Sequence, residues 1–203
     1  MTARSEAFSD AIFAIAMTLL VLEIKVPVGE TSLSGALARQ WPSFAAFAVT
    51  FLYIGVYWMS HHATSRLVVR SDGWLLLLNL LFLMTISFVP YPTALLADRL
   101  QTGHELNLAT AFYGASMLLP ALLSNALWLY ISRGRRLLTP TLGDAQVAAL
   151  TRSYLLGPVL YAISVVVALF VPVIALVFYV LGPSYYAVVS ARSSFEQANA
   201  TAA

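Results

Sequence analysis

Apolar residues fall along this chain in long runs, not in the alternation of a half-buried strand. A run of about 20 apolar residues is long enough to cross hydrocarbon as a helix. The first predicted span covers about residues 4–26 and stops at Pro27. A polar loop with Gly29, Glu30, Thr31 and Ser32 follows, and Leu33 to Arg39 reads as a short surface helix. The second span, 41–62, opens at Trp41-Pro42, where the missing proline N–H falls among donors a helix leaves unpaired anyway. Asp72 is the expected N-cap of the third, 73–96, whose outer end Pro90 and Pro92 kink or loosen. The fourth, 106–131, bends at Pro120; the fifth is 152–170; the sixth, 172–189, is divided from it only by Pro172. The pattern predicts an all-α membrane protein of six transmembrane helices. It forms a single transmembrane domain over residues 1–203, with no separate soluble domain and no obvious internal repeat.

Composition agrees with the pattern: 60% of the 203 residues are apolar and 10% charged. Soluble domains run nearer 45–50% and roughly 25%. This argues against a soluble enzyme, a nucleic-acid binder and a disordered tail. The chain has no Cys, hence no disulfide framework, thiolate zinc site or thiol nucleophile. A formal net charge of +2 does not imply an anionic partner. Arg4 before an apolar run looks superficially like a signal peptide. Glu6 and Asp10 inside the would-be basic region, and Glu23, Lys25 and Pro27 with no small-x-small cleavage pattern, predict a retained first helix instead. Orientation follows from the basic residues. With both termini cytoplasmic, the inner segments carry eight of the eleven: Arg4, Arg66, Arg70, Arg133, Arg135, Arg136, Arg152 and Arg192. The outer segments carry Lys25, Arg39 and Arg99.

Polar groups inside spans are expensive, about 2.5–3.5 kcal/mol for a charge at the helix centre, so each calls for a reason. Asp10 has Glu6, a like charge, at i−4, while Arg4 lies over Phe8. Asp10 therefore takes a partner from another helix or faces water. A simpler reading is an interfacial carboxylate favoured by the N-terminal end of the helix dipole. The second span ends Trp58-Met59-Ser60-His61-His62, with both imidazoles roughly on the face of Trp58. Indole donates and neutral imidazole both donates and accepts, so this cluster can satisfy Asp10 and Ser9. Asn79, two turns into the third span, reaches the same layer. A two-His zinc site is the sharper alternative, but adjacent histidines diverge by about 100° and no HxxxH or HExxH occurs. No metal or cofactor is expected.

Arg4-x-x-x-Phe8-Ser9-Asp10 opening the first span resembles the signature of the transmembrane protein 175 family of potassium channels. Trp58-x-x-His61-His62 closing the second span extends the likeness. So do Leu78-Asn79-Leu80-Leu81-Phe82, Ser87-Phe88-Val89-Pro90 and Pro92-Thr93 in the third. These matches cover about the first half of the chain; spans four to six show no residue-level match. The resemblance implies a prokaryotic member with one six-helix repeat, a homotetramer in the plasma membrane whose central pore is lined by the first helix. Carried over, the pore ladder is Ile15, Leu19 and Leu22, with Thr18 beside it as a ring of hydroxyls. On periodicity alone that stripe would pack against helices or lipid. A ring of Ile15 side chains gates by excluding water, and the TVGYG carbonyl filter is absent. Glu23 becomes the candidate outer-vestibule charge. Arg4, Phe8, Ser9, Asp10, Trp58, His61, His62 and Asn79 become the network that holds the first helix. Potassium ions and lipid are then the expected partners.

Two other classes compete. Interrupted helices at Pro90, Pro92 and Pro120, with titratable Asp10, His61 and His62, would also suit a proton-coupled secondary transporter or a proton leak pathway. An intramembrane enzyme would have to draw on Ser60, His61, His62 and Asp10, and no protease or acyl-transfer motif surrounds them. A purely structural subunit is also consistent with the sequence.

Overall fold

The computed structural model describes residues 3–27 and 32–183. Gly29, Glu30 and Thr31, the end of the sixth predicted span (184–189) and Arg192 lie outside the described residues. Every regular element described is helical: α1 (Ala3–Leu22), α2 (Leu33–Arg39), α3 (Trp41–Ser65), α4 (Gly73–Phe88), α5 (Pro90–Thr102), α6 (Leu106–Ser132), α7 (Asp144–Phe170) and α8 (Pro172–Pro183). A 3₁₀ turn, Arg133–Arg135, follows α6. Among the described residues, five helical stretches are long and apolar enough to cross a membrane, with α4 and α5 counted as one over Gly73–Thr102. The stretch expected as a sixth span is described only to Pro183 and is shorter.

Local chemistry explains where the boundaries differ from expectation. α1 stops at Leu22, short of Val26. Pro27 disfavours helix at the residue before it, and the carbonyl of Lys25 accepts instead from the Gln40 side chain at 2.7 Å. The third stretch breaks at Val89, directly before Pro90, and restarts with Pro90 in the first turn of α5. Asp72 caps α4, accepting from the Leu75 N–H at 2.9 Å. α7 begins at Asp144, two turns before Arg152. That first stretch is too polar to read as membrane. It is helical because Gln146 accepts from the Gly143 N–H at 2.9 Å and Asp144 places a negative charge at the N-terminus.

The helices form an up-and-down bundle. α6 sits centrally, packed on α4, α5 and α7, while α1 lies against α3, α4 and α5. The core runs through Phe13, Tyr53, Ile54, Phe82, Ile86, Met117 and Trp128. At one end the α3–α4 and α6–α7 loops are tied by a two-bond bridge, Val69 N–H to Leu137 O and Thr139 N–H to Leu67 O, both 2.9 Å. At the other, Asn107 of α6 donates to Leu169 O at 2.8 Å, satisfying a carbonyl that the end of α7 leaves open.

Candidate functional site

Two faces of α1 have different surroundings. Ser9, Phe13, Ala16 and Leu20, at helical spacing, are buried against the bundle. Phe8, Ile15, Leu19 and Leu22 lie on another face and touch little: Ile15 is 54% and Leu22 73% exposed. Thr18, beside this stripe, turns its hydroxyl back to the Ile15 carbonyl at 2.9 Å. Glu23 is exposed in the turn that follows α1.

The buried face carries the polar ties. The Ser9 hydroxyl donates to Ser5 O at 2.9 Å and accepts from Asn79 Nδ2 at 3.1 Å. Asn79 Oδ1 lies 2.7 Å from His61 Nε2. An amide oxygen only accepts, so His61 carries its proton on Nε2. Ser9, Asn79 and His61 are all buried, and His61 stacks on Phe82 with ring centroids 5.6 Å apart. Nearer the surface, Trp58 Nε1 donates to Asp10 Oδ1 at 2.9 Å. His62 Nδ1 lies 3.2 Å from Glu6 Oε1, at ion-pair distance but without hydrogen-bond geometry. The two histidines thus diverge to different partners, and no cluster of three metal-capable residues occurs among the described residues. Arg4 and Phe8 are exposed and stand outside these ties.

Glu6 is a member that the sequence offered only as a like charge beside Asp10. A second layer, deeper in the bundle, was not read from the sequence, where Thr93 figured only in the Pro92-Thr93 likeness. The hydroxyls of Thr50 and Tyr113 lie 2.9 Å apart, those of Thr50 and Thr93 3.2 Å apart, and Thr93 donates to Val89 O at 2.8 Å. Tyr53 donates to Met117 O at 2.6 Å, close to the point where Pro120 removes a donor from α6. The available signal was three hydroxyl residues recurring at similar depth in separate apolar runs. A cavity of about 540 Å³ between α3, α6, α7 and α8, lined in part by Tyr53, Tyr57, Tyr154 and Tyr161, involves no residue of α1.

The polar ties and the open stripe both fall within residues 4–90, the stretch matched by the family described as endosomal/lysosomal potassium channel TMEM175. A potassium channel of Streptomyces collinus is 46% identical over 165 residues, covering 80% of each chain. The chain belongs to the TMEM175 family. TMEM175 is a channel family, not an enzyme class, and the five long apolar helices make this member a multi-pass membrane protein. The crystal structure of a lysosomal potassium-selective channel TMEM175 homolog from Chamaesiphon minutus superposes with a TM-score of 0.84 at 37% identity. That match covers 93% of this chain and 97% of the other. The chicken endosomal/lysosomal proton channel TMEM175 is 36% identical over 112 residues, half of this chain and 22% of its own length. TMEM175 likeness therefore reaches well beyond α1 to α5, although α6 to α8 carry no motif legible by eye.

Proposed function

We propose that this TMEM175 protein is a potassium-selective cation channel, homotetrameric, with the exposed stripe of α1 around a central pore. The observation that carries the reading is the 46% identity, over four-fifths of both chains, to a protein that bears the name potassium channel. α8 completes six spans, both termini face the cytoplasm, and the channel sits in the plasma membrane of a prokaryotic cell. This orientation keeps the arginine-rich end inside: Arg4, Arg66, Arg70, Arg133, Arg135 and Arg136 share one end of the bundle, and Lys25, Arg39 and Arg99 the other.

In this mechanism the inner face of α1 is fixed by Ser9–Asn79–His61 and Trp58–Asp10, so that its outer face is free to meet its copies. Ile15, Leu19 and Leu22 then form stacked apolar rings, the Ile15 ring being the gate. Such a ring blocks ions by dewetting, and conduction requires it to widen and hydrate. Thr18 adds hydroxyl oxygens between rings, and Glu23 places a carboxylate at the outer mouth, where four copies concentrate cations. The protein uses no carbonyl filter.

Potassium flux into liposomes tests the gate. Ile15→Asn makes the ring wettable, and flux should rise several-fold with weaker discrimination against sodium; flux identical to the parent protein removes Ile15 from the gate. A proton pathway is the second reading, favoured by the relatives named proton channels and by the titratable His62–Glu6 pair. Acidification of the same liposomes under a proton gradient, with no potassium flux, would select it.

A further inference from the structure

At the arginine-rich end, α6 runs out into Arg133-Gly134-Arg135-Arg136. Two successive residues are left-handed here, Gly134 at φ +65° and Arg135 at φ +56°, the second an uncommon conformation for a residue with a Cβ. The turn sorts the three arginines. Arg135 swings away to Asp144 and to the Leu142 carbonyl. Arg136 returns over the Tyr130 ring, its Cζ 5.5 Å from the centroid, and Nη2 reaches Tyr130 Oη at 2.8 Å and Asp72 Oδ2 at 3.2 Å. Arg133 makes no ion pair among the described residues.

Arg133, Arg136 and Tyr130 line a hollow of about 340 Å³, chiefly with the carbon of their side chains, and both arginines are exposed beside it. Its volume is many times the roughly 30 Å³ taken up by one water in the liquid. No carboxylate lines it. Asp72, bonded to two of the lining residues, accepts from the Leu75 N–H, the Tyr130 hydroxyl and Arg136, and Asp144 is held by Arg135. The Tyr130 proton is committed to Asp72, so the donors left for a ligand are the whole guanidinium of Arg133 and the remaining N–H groups of Arg136. Arg66 and Arg70, at the same end, are also without an ion pair among the described residues. The hollow lies at the terminus of a membrane-length helix, Leu106–Arg135, and the roughly 30 Å of hydrocarbon that such a helix crosses ends in a headgroup layer.

We propose that the exposed arginines at the rim of this hollow bind the phosphate headgroup of an anionic phospholipid from the surrounding bilayer, held by the forks of Arg133 and Arg136. Planar guanidinium donors match phosphate oxygens two at a time, and the apolar flank of α6 below accepts the acyl chains. The site requires a headgroup layer at this end, whichever side of the membrane it faces, and it stands apart from the pore.

Native mass spectrometry of the purified full-length protein, titrated with phosphatidylglycerol and with phosphatidylcholine, is the test. The parent protein should retain phosphatidylglycerol preferentially. Arg133→Gln should weaken that retention about fivefold, as expected for one basic residue at a bilayer surface. Arg133→Lys, which keeps the charge, should weaken it less, and Arg39→Gln, at the opposite end, should leave it unchanged. Unaltered retention in Arg133→Gln overturns the site, as does an equal loss in Arg39→Gln. If inorganic phosphate competes off phosphatidylglycerol at matching concentration, the hollow is a free-anion site and the lipid assignment fails. Should Arg133→Gln not purify as a folded protein, the Arg133→Lys and Arg39→Gln comparison decides alone: retention equal to the parent in both contradicts the proposal.

Discussion

At the residue scale, burial decides which polar tie matters. Asn79 is 3% exposed and serves two buried partners, so Asn79→Leu orphans the His61 Nε2–H and takes from the Ser9 oxygen its incoming donor, leaving Ser9 its own bond to Ser5 O. Leaving a buried donor or acceptor unpaired costs about 1–3 kcal/mol. Trp58 is 41% exposed, and Trp58→Phe frees an Asp10 carboxylate that water can reach, an effect of roughly 0.6 kcal/mol. Thermal unfolding in detergent should rank Asn79→Leu well below Trp58→Phe; the reverse order would place the anchor of α1 at Asp10. Asp72 gives a pH signature. The Leu75 N–H, then the Tyr130 hydroxyl and the Arg136 charge, hold its carboxyl below the ordinary 3.8. A carboxyl lowered in the folded state stabilises above its unfolded pKa, and that contribution is lost as pH falls through the folded value. The stability gap between the parent protein and Asp72→Asn should therefore be full at neutral pH and shrink as pH drops below about 4. A gap independent of pH would mean that the clamp is steric.

At the scale of elements, α8 makes a very close approach to α6. A Cβ on Gly114 of α6 would lie 2.0 Å from Tyr179 Oη and 2.9 Å from Tyr179 Cζ. Gly114→Ala must push Tyr179 and α8 outward, an overpacking penalty of about 1–3 kcal/mol. Adding Tyr179→Phe removes the nearer clash and should restore part of the loss; a melting temperature unchanged by Gly114→Ala would show that α8 is not seated on α6. Gly114 held no sequence signal, because the need for a missing side chain arises from a helix about 65 residues further on. Spans one to three, by contrast, were legible from Pro27, Pro42, Asp72 and Pro90, whose backbone chemistry acts locally, and span four from its apolar run. The start of α7 was hidden because its first two turns are amphiphilic and lie outside the apolar run. The first-layer ties were readable since Ser9, Asp10, Trp58, His61 and Asn79 are polar residues with few other places to go. Their pairing was less so: His62 meets Glu6, which one-helix spacing presented only as a repulsion for Asp10.

For the whole molecule, the open face of α1 is the feature a single chain leaves without use. If four copies surround a pore, Leu19 side chains approach one another across it. The absence of native cysteine makes the test clean. Leu19→Cys should cross-link between copies under mild oxidant in the membrane, whereas Ile163→Cys, exposed on α7, should not. The reverse pattern would put α7 and not α1 at the symmetry axis. On the proposed reading, the 20 residues of α1 carry polar ties on the inner face and an apolar gate on the outer. The most direct test of potassium selectivity is the reversal potential of the purified protein in a planar bilayer, with potassium chloride on one side and equimolar sodium chloride on the other. A potassium-selective channel gives a current whose reversal potential is displaced from zero in the direction that holds potassium in its own compartment. A reversal at zero, or no current at all, would contradict that reading.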